Sequence, residues 1–456
     1  MSDILPVLLA LTPVLPKTTC RQLHRIVLAM LAMTGRITQL GLSRWTDKGG
    51  SYRTVHRFFH TPLDWLEVKW RFFTLFFYDQ NGVYILAGDE SVVGKAGKHT
   101  FGLDRFFSSL ADKAIPGIAC FSLALVHVQK RQAYSLCTEQ VLRTQEEKEQ
   151  AKQRTKQRKQ SSAKKEPKKP RGRPKGSKNK NRAQITLCPE LERILAQAQK
   201  VVERIKEKMG VTYLVLDGHF GNHPSYQMVR RMDLHIVSKM RYNAALYLEP
   251  TPVQKALHPR GKYGTKLDYA HLPEALLCSD CTEDDYRTQV YQACCLHKDF
   301  AQRINVVIVV KTHLVSGRVG HIVLFSSDLC LDAERLIDYY RLRFQIEFTF
   351  RDAKQHFGLE DFMGVTKTSV ANGIGLSFFM VNLSTYLLEQ LRTRSGDVGV
   401  NDLKCYYRGQ RYVFEIIKCL PDIPDAITCA RLIEQLSGLG CIHSPGKSAS
   451  NLERAA

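Results

Sequence analysis

Twice in this chain a short, unbroken apolar run ends on an aspartate: Tyr84-Ile85-Leu86-Ala87-Gly88-Asp89, and Val211-Thr212-Tyr213-Leu214-Val215-Leu216-Asp217. Such runs are too short for a buried helix and lack the alternation of a half-exposed strand, so both read as strands covered on both faces. Strands of that kind need helices packed against them, which makes the chain α/β. Each run also delivers a carboxylate to the point where its apolar cover stops. An aspartate at that point can simply cap the helix that follows, so the pattern sets the fold class before it says anything of chemistry.

A third acidic position stands on a helical pattern. Residues 332–357 contain neither Pro nor Gly, and Leu336, Ile337, Tyr340, Phe344 and Phe348 recur at three- and four-residue steps. This predicts one continuous amphipathic helix, stopped near Gly358. At roughly 100° per residue, Tyr340, Arg343, Glu347 and Lys354 share a sector about 60° wide. That face sets a carboxylate among cations and an aromatic hydroxyl. A solvated, salt-bridged surface has the same pattern, and it is the two aspartates upstream that favour a site.

Around these acids the chain divides by composition. Residues 1–80 read as a helical unit whose Arg21, Arg25, Arg36, Arg44, Arg53 and Arg57 suit docking on DNA as well as they suit plain packing. Residues 81–142 hold the first Asp strand, the basic turn Gly94-Lys95-Ala96-Gly97-Lys98, and a hairpin of strands at 118–128 and 131–136. A helix at 189–209, the second Asp strand and a further strand at 234–238 fill 183–240. Residues 241–317 are turn- and strand-rich and read as a β-rich insertion, after which 318–395 resume the α/β pattern with the Glu347 helix. The cysteine-dotted tail, 396–456, carries no pattern that points to a role.

Lys and Arg number 66 against 44 Asp and Glu, a net +22, which points to a polyanionic partner and to nucleic acid ahead of an anionic membrane. Residues 143–182 contain 17 of the basic residues and 4 Glu with almost no apolar side chains, so they cannot fold alone. Within them Pro170-Arg171-Gly172-Arg173-Pro174-Lys175 resembles an AT-hook, in which Arg171 and Arg173 enter the narrow minor groove of A·T-rich DNA. Nonspecific phosphate contact and a solvated linker are the alternatives. No membrane anchor is expected: the run at 4–15 is short and broken by Pro6 and Pro13, and the run at 371–388 carries Asn372, Asn382, Ser384 and Thr385. The 13 scattered cysteines fit a reducing, cytoplasmic compartment. Cys278, Cys281, Cys294 and His297 have zinc-like spacing, but the second pair falls in a strand pattern, so packed thiols are the stronger expectation.

Two aspartates and a glutamate are the oxygen ligands that a pair of Mg²⁺ or Mn²⁺ ions needs for phosphoryl transfer. The spacing Tyr340-x2-Arg343-x3-Glu347-x6-Lys354 resembles the Tyr-Arg-Glu-Lys signature of bacterial insertion-sequence DDE transposases of the family-four group. Gly88-Asp89, Lys95 to Lys98, Asp217-Gly218-His219-Phe220 and Ser238-Lys239-Met240-Arg241 extend the match over about residues 40–365. The resemblance implies a ribonuclease-H-like core of the retroviral integrase superfamily, with a β-rich insertion and an N-terminal helical domain. It gives Asp89 the bridging position between two Mg²⁺ or Mn²⁺ ions, with Asp217 and Glu347 completing the set. It places Tyr340, Arg343 and Lys354, with Lys95, Lys98 and Arg241, against DNA. The implied activity is binding of terminal inverted repeats, cleavage of the ends and their joining to target double-stranded DNA, by a homodimer on paired ends at the bacterial nucleoid. A flipped base would need a stacking partner, for which Tyr242 and Tyr247 are the candidates. A structure-specific nuclease with the same core, or an architectural A·T-rich DNA binder derived from a transposase, are the alternatives. Glu90 is expected to face away from Asp89, and His219 to be packed.

Overall fold

The computed structural model describes residues 4–46, 49–108, 111–149, 153, 185–395, 398–422 and 424–443. The expected AT-hook, with Arg171 and Arg173, lies outside the described residues. The chain divides into two compact units, one made of 1–139, 200–211 and 342–456, the other of 140–199 and 212–341.

The first unit opens with the helices Ile4–Leu9, Lys17–Ala32, Gln39–Trp45, Tyr52–His60 and Trp65–Phe76. Their starts are written locally: Thr38 accepts from the Gly41 N–H, and Asp64 accepts from the Leu66 and Glu67 N–H groups. In Tyr52–His60 the buried stripe is Val55, Phe58 and Phe59, while Tyr52, Arg53, His56 and Arg57 are exposed. The strands β1 (Tyr84–Gly94), β2 (Asp104–Ser108), β3 (Lys113–His127) and β4 (Gln132–Gln140) follow. β3 pairs with each of the other three, and runs antiparallel to β1 from Tyr84 opposite His127 to Gly94 opposite Gly117. β2 follows the predicted basic turn and had no apolar alternation to reveal it.

The long helix Lys367–Ser395 forms the centre of this unit's core. It is apolar enough to cross a membrane by length and composition, but 83% of its apolar window is buried inside the unit. Its asparagines do the work expected of polar groups in a protein core. Asn372 accepts from the Trp65 indole and donates to the carbonyls of Phe59 and Thr61, and Asn382 exchanges two bonds with the Ser135 backbone. Phe72, Phe73, Phe77 and Tyr134 pack as an aromatic cluster beside it, with the Phe77 and Tyr134 rings stacked at 4.3 Å. The tail forms two helices, Val400–Lys418 and Ala426–Ser437, and Arg408 of the first donates to the Ala32 carbonyl.

The second unit holds β5 (Tyr213–Leu216), β6 (His235–Met240), β7 (Leu246–Tyr247), β8 (Leu277–Glu283), β9 (Tyr286–His297), β10 (Ile304–His313) and β11 (Val319–Ser326). β5 and β6 are parallel, joined through the helix His223–Arg230. The sheet then runs antiparallel from β6 through β11 and β10 to β9, which carries both β7 and β8. The strands within 241–317 are thus joined, through β10, to β11, which continues the sheet of β5 and β6. Parallel and antiparallel pairs together make the protein mixed α/β, as the two apolar runs required.

Candidate active site

Asp89 does not end its strand. β1 runs five residues further, to Gly94, and Asp89 sits opposite Ser122 in the middle of it. What ends there is the cover: Tyr84 to Gly88 are buried, Asp89 is half-buried and Glu90 is exposed. An apolar run records where helices pack over a strand, and the ladder itself continues on backbone hydrogen bonds that leave no mark in the sequence.

Across from Asp89 lies the predicted acidic helix, and it is not continuous. One helix ends at Leu342 and the next starts at Gln345. Between them Ile346 and Glu347 donate to the carbonyls of Arg343 and Phe344, a three-residue step tighter than the α-helical one. The periodicity predicts one helix through this point, and the backbone instead makes two. Nothing in the residue types demands a break; it coincides with Arg343, whose guanidinium is held by tertiary bonds.

Those bonds define the site. Arg343 Nη1 donates to Asp89 Oδ2 at 2.9 Å and Nη2 to Glu347 Oε1 at 2.8 Å, with the Arg343 side chain only 13% exposed. One planar cation therefore joins the carboxylate of a strand to the carboxylate of a helix, the geometry that arginine's fixed fork favours. The residue pattern assigned Arg343 to DNA phosphate; in the fold it bonds the two acids.

Two lysines then fasten the Glu347 helix to β1. Lys354 Nζ donates to the Val92 carbonyl at 3.0 Å. Lys95, from the turn after β1, donates to the carbonyls of Leu359, Glu360 and Phe362 at 3.1, 2.9 and 2.9 Å, closing the turn that follows the helix. Burial lowers both ammonium pKa values, that of Lys95 to about 8. Both lysines were expected at DNA phosphates, and both are bonded to backbone instead. Of the remaining cations, Lys98 and Arg241 are exposed, and Tyr340 is half-buried on the helix before the break.

Asp217 stands in the second unit, directly after β5. It begins a single 3₁₀ turn, Gly218–Phe220, its Oδ1 accepting from the His219 N–H at 3.1 Å. Its carbonyl accepts from the Ser238 hydroxyl at 2.7 Å, tying the end of β5 to β6. His219 is not packed: it is exposed and its Nε2 lies 3.2 Å from Glu190. Tyr242 is exposed, while the Tyr247 ring rests against Tyr263.

Asp89 and Glu347 offer hard oxygen donors that already share one positive charge, and this donor chemistry fits Mg²⁺ or Mn²⁺. Among the described residues, no group of three or more His, Cys, Asp or Glu side chains is gathered closely enough to hold a metal ion. That includes the zinc-like set, in which Cys278, Cys281 and Cys294 are exposed on strands.

Paired carboxylates are among the donors that metal-dependent phosphoryl transfer uses. The chain belongs to the DDE superfamily endonucleases, whose family model matches residues 10–297, a span that contains Asp89 and Asp217 and ends before Glu347. Among curated proteins no sequence matches. A solved structure of a piggyBac transposase synaptic complex with hairpin DNA is similar to the chain at a TM-score of 0.39 and 9% identity, covering 97% of this chain and 81% of that one. A likeness that loose supports no residue-by-residue correspondence.

Proposed function

We propose that the protein is a DNA transposase of a bacterial insertion sequence, of the Tyr-Arg-Glu-Lys group, with a ribonuclease-H-like core. In this reading it binds the terminal inverted repeats of its element, cleaves the ends and joins them to target DNA. The observation that carries the reading is the pair Asp89 and Glu347 on one guanidinium, within a chain whose family is that of DDE endonucleases. Asp89, Glu347 and Asp217 are the residues that would hold two Mg²⁺ or Mn²⁺ ions. Such ions, when bound, activate the attacking oxygen and neutralise charge on the leaving one. The protein's own part is to hold these carboxylates oriented: Lys354 and Lys95 fix the Glu347 helix against β1, and Ser238 fixes the backbone of Asp217. Arg343 is then the phosphate-seeking cation nearest the acids, and Lys98, Arg241 and Tyr340 extend the contact with DNA. The basic tract with Arg171 and Arg173 adds minor-groove affinity for A·T-rich sequence. The active form is a homodimer on two paired ends.

A supercoiled plasmid carrying the inverted repeats that flank the gene, incubated with protein and Mg²⁺, tests this. Cutting at the repeat boundaries that disappears in Asp89→Asn is the expected result. Cutting by Asp89→Asn at the wild-type rate would overturn the site, and binding of the repeats without cutting by the wild type would favour an architectural role.

A further inference from the structure

In the first unit, away from Asp89 and Glu347, a cleft of about 480 Å³ opens between the turn after the helix Lys17–Ala32, the end of the Glu347 helix and the helix Val400–Lys418. Lys404 and Arg408 stand one helical turn apart on its wall. Lys404 Nζ donates to the His356 carbonyl at 3.0 Å, and Arg408 Nε to the Ala32 carbonyl at 3.0 Å. Each thereby keeps donors to spare, and among the described residues neither is in an ion pair. The acids nearby are committed elsewhere. Asp402 is filled by the N–H groups of Gly399, Ile442 and His443 and by the His443 ring, and Asp361 by Arg36 and the Ile37 N–H. Burial first, and then the neighbouring Arg408 charge, lower the Lys404 pKa to about 8, with the Asp361 carboxylate opposing them.

We propose that this cleft is an anion site for a phosphate group, with Lys404 and Arg408 as its cations and the side chains of Thr34, Gln355 and Asn401 at its rim. The cleft is open and roomier than one phosphate needs, which suits a phosphodiester with its flanking sugars. That source, a backbone phosphate of DNA, rests on the function proposed above; a free phosphate does not. Nothing in the sequence pattern points to the cleft, because Lys404 and Arg408 lie in a tail without a motif, and only the fold brings His356 and Ala32 to them.

The test uses the full chain with inorganic phosphate and duplex DNA as separate probes. Inorganic phosphate should raise the unfolding temperature more than chloride at matched ionic strength. Arg408→Gln and Asn401→Glu, the second at an exposed position where folding is not at stake, should each abolish that difference. If the source is DNA, the slope of log affinity against log salt should also become shallower by about 0.9 for each DNA phosphate that the variant no longer neutralises. Phosphate stabilisation with an unchanged DNA slope would support the site and assign it to a free phosphate, leaving the plasmid-cutting experiment to judge the transposase reading separately. Equal effects of phosphate and chloride on the wild type, with both variants binding DNA as the wild type does, would overturn the proposal.

Discussion

Asp89 and Asp217 come from nearly the same sequence pattern and end in different chemistry. Asp89 lies mid-strand, half-buried, with Arg343 on its carboxylate and Glu347 on the other side of that guanidinium. Asp217 lies just past its strand with its carboxylate on the N–H of a short turn, as a capping aspartate does. An apolar run ending in Asp thus specifies where a carboxylate emerges, and its partners decide whether the group is locked in an ion pair or free to take a new ligand at little cost.

Substitutions at the two positions sharpen that contrast. If both are ligands, Asp89→Asn, Asp217→Asn and Glu347→Gln should each lower plasmid cutting by about a thousandfold or more; wild-type cutting by Asp217→Asn would reduce it to a cap and break the parallel.

Next in size is a control on the interior of the same unit as Asp89. Lys69 is fully buried, bonded weakly to the Ser135 hydroxyl at 3.4 Å, and burial lowers its pKa from 10.5 to about 8. Below about pH 8 both folded and unfolded chains carry the proton and the full burial penalty is present; between there and 10.5 the unfolded chain holds the proton that the folded one has released, so stability rises with pH. Lys69→Met should therefore be more stable than the wild type at pH 7, by about 3 kcal/mol at most. The gap should close as the pH approaches 10.5, as read from urea unfolding at the two ends of that range.

Asp89→Asn should cost about 2 kcal/mol in the same assay, because it leaves a largely buried guanidinium with less compensation. The companion Asp217→Asn should change stability by less than about 0.5 kcal/mol, since Asn caps as well as Asp. Equal losses at the two positions would mean that the ion pair contributes nothing that a cap does not.

Much of this was legible in the chain. The apolar runs predicted buried strands at 84–89 and 211–217, and β1 and β5 occupy them. Asn372 and Asn382 argued for a protein core around an apolar helix that bilayer length alone would have misassigned, and both are bonded there. What was not legible depended on residues distant in sequence. The three- and four-residue periodicity continues unbroken through Arg343, so it predicted one helix, yet a bond to Asp89 across 254 residues accompanies a break. Lys95 and Lys354 are expected against DNA, and no residue pattern tells that their ammonium groups bond carbonyls of distant segments.

By itself, then, the sequence determined the α/β class, the two emerging aspartates, the acidic helix and the strong positive charge, since burial and periodicity are written in local residue order. Only the tertiary structure decided that Asp89 and Glu347 share Arg343, that two lysines clamp the helix, and that Lys404 and Arg408 face a cleft. Each of these rests on a bond between segments that the chain brings together only by folding, from 48 to 376 residues apart, and no local pattern encodes such a partner.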